Sequence, residues 1–410
     1  MHLAINLSHH ISPHTKNTTT TRFASSLRVH ATAATTPPNP THRASIGKQW
    51  REYQGINNWD GLLDPLDDAL RTEILRYGQF VESAYAAFDF HPKPHPHSLL
   101  PPDSGYRVTR HLHATSSIDL NWVSNRSTFI GYVAVSTDEA EVARLGRRDI
   151  VIAYRGTITC LEWLENLRAG LTRLDASGQP DASPMVASGF WSLYTSRARE
   201  RASLREEVRE EVRRLVSAYG GGGPISLTVT GHSLGAALGV LTAYDVARDF
   251  GDDALVTVVS FGGPRVGNER FRRELERSGG RVLRIVNAQD VITKVPGVVM
   301  EGGGDGDGEG WVKRRLSEAG WVYAEVGREL RLRSSDSPRR EVRAGNVATC
   351  HDLGVYLHLV NSFMSSGCAE ERSQMDLLSM FGNMGTWHRE RSPVAWGQSP
   401  PLDQVYDQVH

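Results

Sequence analysis

The sequence predicts an α/β fold, a mostly parallel sheet with helices on both faces, and three observations predict it. Segments patterned as strands alternate with segments of helical period along most of the chain, the rhythm that wraps helices around a parallel sheet. At its centre, Ile225 to Val240 reads ISLTVTGHSLGAALGV, an alternating strand that turns sharply at Gly231-His232-Ser233-Leu234-Gly235 into a small-residue helix. Finally, 410 residues with 39% apolar content suffice for one large core of this kind.

Residues 1 to 45 contain no Asp or Glu, while Ser, Thr, His and Ala abound beside Lys16, Arg22, Arg28 and Arg43. That is the composition of a transit peptide, expected to be disordered, with Val29-His30-Ala31 before Thr32 resembling a plastid processing site. A mitochondrial address is the alternative. Folded sequence is expected over 46–368, followed by a tail at 369–410 in which periodicity is weak.

Ala69 to Phe88 reads as a helix, with Leu70, Ile74, Phe80, Val81 and Ala84 on one side. His91, His95 and His97 alternate with prolines that hold the segment extended, and no carboxylate or cysteine joins them, so they read as a solvated loop rather than a metal site. Phe129 to Val135 and Ile150 to Tyr154 read as strands. The second runs into Arg155-Gly156-Thr157, which places backbone N–H groups and a hydroxyl at the carboxyl edge of the sheet, where α/β proteins build their sites. Cys160 to Leu167 carries an apolar stripe of Leu161, Leu164 and Leu167 opposite Glu162, Glu165 and Asn166, a short lid or an ordinary surface helix.

Ser203 to Tyr219 is an amphipathic helix opened by the capping box Ser203-Leu204-Arg205-Glu206. Val256 to Phe261 and Arg281 to Val286 are further strands, the latter running on to Asp290. Gly302 to Gly310 lacks the period of a calcium loop and reads as an insertion, and Trp321 to Leu332 reads as strand. Cys350-His351-Asp352-Leu353 then opens an apolar helix containing His358.

In the sequence G-x-S-x-G, with strand before and helix after, the serine sits on a strained turn, and the flanking glycines remove side chains that would strike neighbouring backbone. Ser233 is therefore the candidate nucleophile, at a helix N-terminus that favours developing negative charge. A serine hydroxyl needs a base, and a base needs an orienting acid. His351, in a loop, suits the base better than His358, which falls among apolar residues; Asp290 is placed to hold its imidazole. The Leu234 N–H and Thr157 are the candidate oxyanion donors, and this chemistry needs no metal and no organic cofactor. The order serine, acid, histidine is that of α/β-hydrolases.

These residues, together with Leu161-Glu162-Trp163, Phe261 to Asn268 and Val295-Pro296-Gly297, resemble the class 3 (fungal-type) lipase family, and within it the plant plastid acylhydrolases. The resemblance runs from about Trp50 to Asn361. It implies an α/β-hydrolase fold with a short lid, Ser233, Asp290 and His351 as triad, and hydrolysis of the sn-1 acyl ester of phospholipids. Galactolipids and triacylglycerol are further implied substrates, with release of fatty acid for lipid catabolism or oxylipin and jasmonate synthesis. A soluble carboxylesterase and a non-catalytic lipase-like signalling protein are the alternatives.

The 46 basic and 47 acidic residues nearly cancel, which argues against a nucleic-acid partner. No apolar run reaches membrane-spanning length, so contact with a lipid substrate is expected to be peripheral, and no obligate protein partner is evident. Cys160, Cys350 and Cys368 have neither a disulfide nor a metal-ligand pattern, which suits a reducing compartment.

Overall fold

The computed structural model describes residues 45–90, 99–115, 127–157, 170–174, 183–199, 201–296, 323–334 and 347–363. All of them belong to the unit Ala44–His410. The transit-peptide reading, the His-Pro run, the Cys160 to Leu167 stripe, the Gly302 to Gly310 insertion and the tail lie outside these residues.

Its centre is a 7-stranded sheet in the order β1-β2-β3-β6-β7-β8-β9. β1 (Tyr106–Thr115), β2 (Ser127–Ser136) and β3 (Arg148–Tyr154) are paired antiparallel. A separate pair joins β4 (Leu171–Arg173) to β5 (Met185–Ala187). From β3 onward the main sheet is parallel, through β6 (Ile225–His232), β7 (Ala254–Phe261), β8 (Arg281–Asn287) and β9 (Arg328–Leu332). Among the described residues the helices are α1 (Trp50–Tyr53), α2 (Asp68–Phe90), α3 (Glu139–Leu145), α4 (Ser188–Thr195), α5 (Leu204–Tyr219), α6 (Leu234–Phe250), α7 (Glu269–Arg277), α8 (Val347–Cys350) and α9 (Leu353–Ser362).

Side-chain alternation along the strands divides the core in two. Ile150, Ile152 and Tyr154, with Leu227, Val229, Val256 and Val258, face one way and pack on α4, α5, α6 and α7. Val151 and Ala153, with Val259, Phe261, Leu283 and Ile285, face the other way and pack on α2 and α9. Parallel strands covered on both faces read as nearly unbroken apolar runs, which is why β3 and β7 were legible. In β6 the face toward α2 is polar instead, and Ser226, Thr228 and Thr230 are fully buried there.

Those hydroxyls have a use at the amino ends of the strands. Ser226 and Thr228 donate to Asp149 Oδ1 at 2.7 and 2.9 Å, and Tyr106 donates to Oδ2 at 2.8 Å. Arg76 lies 3.4 Å from the same carboxylate and also pairs with Glu73. Burial favours the neutral Asp149 carboxyl, yet Arg147 and Arg76 outweigh it and hold its pKa below the usual range. A buried charge cluster satisfied in this way fixes the register of β3 against β6.

Among the described residues the predicted helices form. α2 extends the expected span slightly and buries Leu70, Ile74, Phe80, Val81 and Ala84. α5 carries the capping box at Ser203 and Glu206, and buries Leu204, Val208, Val212 and Leu215. One expectation needs correction: of the strand read over Trp321 to Leu332, residues 323–327 are not part of it, and β9 begins at Arg328, while Trp321 and Val322 lie outside the described residues. Tyr323 instead bridges Asn268, and the Ala324 N–H donates to Gly267 O at 2.8 Å, so this stretch is tied to the loop after β7 and not to β8.

Candidate active site

The parallel register sets the carboxyl ends of four strands along one rim. Tyr154 pairs with Gly231, Gly231 with Ser260, His232 with Phe261, and Phe261 with Ile285. Arg155 to Thr157, Ser233 and the loop from Ala288 to Asp290 all follow within a few residues of these positions. The chain therefore brings together, at one edge, residues that the sequence holds far apart.

Ser233 joins β6 to α6 with φ 58° and ψ −123°, a conformation that a residue bearing a β-carbon rarely adopts. Its N–H donates to Phe261 O at 3.0 Å, and its carbonyl accepts from Ala236 and Ala237 at 3.0 and 3.3 Å, which holds the turn. Two glycines make room. A β-carbon on Gly235 would stand 2.5 Å from Arg155 O, and one on Gly156 would stand 3.0 Å from the Ser233 β-carbon. The backbone of the β3 loop thus lies directly against the serine turn.

Asp290 is fully buried and held from several sides. The Ile292 N–H donates to Oδ1 at 2.9 Å, while Oδ2 accepts from the Tyr356 hydroxyl at 2.7 Å and from His351 Nδ1 at 2.6 Å. Burial, and next the Asp290 charge, push the Tyr356 hydroxyl well above its ordinary pKa, so it stays protonated and donates. Asn287, the last residue of β8, donates from Nδ2 to Cys350 O at 2.9 Å, and its N–H donates to the Tyr356 hydroxyl at 3.2 Å. These bonds fasten the loop before α9 to the end of β8. Asp352 caps α9 by accepting from the Val355 N–H at 3.1 Å, leaving His351 just outside the helix.

His351 is brought to the serine turn through His232. The His232 Nε2–H donates to the His351 carbonyl at 2.7 Å, and the two rings lie 4.8 Å apart at 36°. His358, by contrast, stands half-buried within α9. Thr157 is 8% exposed, and its Oγ1 is buried with no hydrogen-bond partner among the described residues. The Leu234 N–H is the first of α6, one of the groups that a helix cannot satisfy internally.

Sequence reasoning missed Tyr356, His232 as a link to His351, and Tyr85, whose hydroxyl lies 2.8 Å from His232 Nδ1. Tyr356 had a weak local signal, standing on the helix that His351 precedes. Tyr85 had none, because its contact spans 147 positions.

A strained serine at a helix start, on the same sheet edge as an imidazole paired with a buried carboxylate, is the arrangement that nucleophilic acyl transfer uses. A family model described as Lipase (class 3) matches residues 151–300, from β3 past Asp290. Phospholipase A(1) DAD1, chloroplastic, of Arabidopsis thaliana is 53% identical over 366 residues, covering 81% of this chain and 80% of that protein. The chain belongs to the class 3 lipase family. Another family relative, galactolipase DONGLE, chloroplastic, of Arabidopsis thaliana, is 39% identical over 355 residues, 78% of this chain and 72% of that one. The crystal structure of a lipase from Rhizopus microsporus var. chinensis aligns with a TM-score of 0.46 at 17% identity, covering 72% of this chain and 88% of that one.

Two outcomes test how this class 3 lipase site is held. Tyr356→Phe removes one hydrogen bond from buried Asp290 and one from the Asn287 N–H, and lowers unfolding stability in urea by about 1–3 kcal/mol. Burial, and next the His351 charge, depress the His232 pKa to about 3, so the folded state keeps it neutral where the unfolded chain protonates near 6.5. The unfolded state then binds more protons, and stability falls as pH drops from 6.5 toward 3. The loss from this residue is up to about 1.4 kcal/mol per pH unit. Denaturation curves of His232→Gln between pH 7 and 4 have a shallower pH slope than the wild type.

Proposed function

We propose that this class 3 lipase is a serine acylhydrolase that cleaves the sn-1 acyl ester of phospholipids, with galactolipids as a second substrate class, acting in the plastid. The carrying observation is the Asp290–His351 pair, joined at 2.6 Å on the rim where Ser233 turns at φ 58°. Relatives named as chloroplastic phospholipases A1 and a chloroplastic galactolipase support the substrate class and compartment.

In the reaction, His351 Nε2 takes the Ser233 proton as the hydroxyl oxygen attacks the ester carbonyl carbon. Asp290 keeps the imidazole proton on Nδ1 and stabilises the cation that forms, with Ile292 and Tyr356 in turn orienting the carboxylate. The tetrahedral oxyanion is met by the Leu234 N–H and by Thr157, whose side-chain hydroxyl has no partner among the described residues. The ester C–O bond then breaks, and the leaving lysolipid alcohol takes the proton from His351. Water, deprotonated by the same imidazole, attacks the acyl-serine ester, which releases free fatty acid and restores the hydroxyl.

The substrate lies in a bilayer, and among the described residues no helix is long and apolar enough to cross a membrane. Peripheral contact is therefore our reading of how the enzyme meets it.

Phosphatidylcholine and galactolipid carrying different acyl chains at sn-1 and sn-2 provide the test, with products resolved by mass spectrometry. The sn-1 fatty acid and the 2-acyl lysolipid are expected. Ser233→Ala lowers the rate by at least about a thousandfold, and Asp290→Asn by roughly 10³–10⁴. Undiminished hydrolysis by Ser233→Ala, or predominant sn-2 release, contradicts the proposal.

A further inference from the structure

Three hydrogen bonds connect the loop after β3 to the backbone of His351, and their directions are forced. A carbonyl oxygen only accepts, so the 2.7 Å contact from His232 Nε2 to the His351 carbonyl places the His232 proton on Nε2. In the neutral ring Nδ1 is then an acceptor, so the Tyr85 hydroxyl, 2.8 Å away, must donate to it. The remaining capacity of that hydroxyl is as an acceptor, and it takes the Gly156 N–H at 2.8 Å. The series runs from Gly156 through Tyr85 and His232 to His351, and each of its three bonds has one allowed direction.

We propose that Tyr85 and His232 are positioning residues, a hydrogen-bonded strut that sets the gap between the oxyanion loop at Gly156-Thr157 and the base His351. The inference rests on the acylhydrolase reading above. One end of the strut is the residue before Thr157, the other is the backbone of the base, and the middle is the residue before the nucleophile. It therefore spans the three groups whose separations decide whether the serine can attack while its oxyanion is met.

The strut also has to survive the proton transfer it frames. Adding a proton to His232 Nδ1 would convert the acceptor of the Tyr85 bond into a second donor. It would also put a positive charge beside an imidazole, at 4.8 Å between ring centroids, that must itself become cationic in each turnover. Burial prevents this, by holding the His232 pKa at about 3. Both ends are fastened independently as well. Arg155 Nη1 donates to Gly156 O at 2.7 Å, and Asn287 Nδ2 donates to Cys350 O at 2.9 Å. Removing one link of the strut consequently loosens the geometry without releasing either loop from the fold.

The test uses the full chain and a water-soluble short-chain p-nitrophenyl ester, with kcat and KM measured separately. Tyr85→Phe keeps the ring and deletes the hydroxyl. It is expected to lower kcat by about tenfold or more while KM stays within about twofold and Tm within a few degrees of wild type. His232→Gln can place an amide N–H where Nε2–H stood, so it retains at least about fivefold more kcat than His232→Leu, which has no donor. A Tyr85→Phe kcat within about twofold of wild type overturns the strut, as does equal kcat for His232→Gln and His232→Leu in folded protein. Ser233→Ala in the same assay separates the two readings. If it is inactive while Tyr85→Phe is unimpaired, the strut alone fails. If it retains full activity, the acylhydrolase reading fails and the strut fails with it.

Discussion

The fold converges on one constraint, a peptide backbone held where it would not rest by itself. Ser233 carries a β-carbon at φ 58°, a conformation costing on the order of 1–3 kcal/mol. It persists because its own N–H and carbonyl are both bonded, and because α6 behind it is buried along nearly its whole length. Small residues allow that depth: Ala236, Ala237 and Ala243 bring the helix close to the sheet, and the β3 loop closes over the turn from the other side. The strain directs the hydroxyl out of the sheet's edge, while the first N–H groups of the helix face the same space.

The two edges of the parallel sheet have divided the polar work between them. At the amino ends, Asp149 with its hydroxyl and arginine partners forms a closed set of buried charges that ties β3, β6 and α2 together. At the carboxyl ends, the buried polar groups surround the site proposed for the chemistry. Asp290 and Tyr356 hold His351, the Thr157 hydroxyl has no partner among the described residues, and His232 is held neutral. The same physics, low dielectric and directed hydrogen bonds, locks one edge and, on the proposed reading, makes the other reactive.

Sequence revealed what was local and left unseen what was not. The turn at Ser233 was legible because strand, turn and helix adjoin, and the cap at Ser203 because Glu206 follows by three residues. Asp290 and His351 were legible from their order along the chain and from the rule that sites gather at the carboxyl ends of strands. β1 escaped notice because Arg107, Arg110, His111 and His113 interrupt its apolar pattern, as an edge strand tolerates, and β4 and β5 are only 3 residues each. Tyr85, His232 and Tyr356 escaped for a different reason. Their partners are 147, 119 and 66 positions away, so folding alone introduces them.

The central claim is that this strained serine is the atom that forms a bond to substrate. Reaction of the full chain with a long-chain alkyl phosphonate p-nitrophenyl ester, followed by digestion and mass spectrometry, reads that bond directly. The account predicts stoichiometric loss of lipid hydrolysis with the phosphonate mass on Ser233 alone, and no labelling of the acid-unfolded chain. Complete inactivation with the adduct on another residue, or continued lipid hydrolysis by protein fully labelled at Ser233, would contradict it.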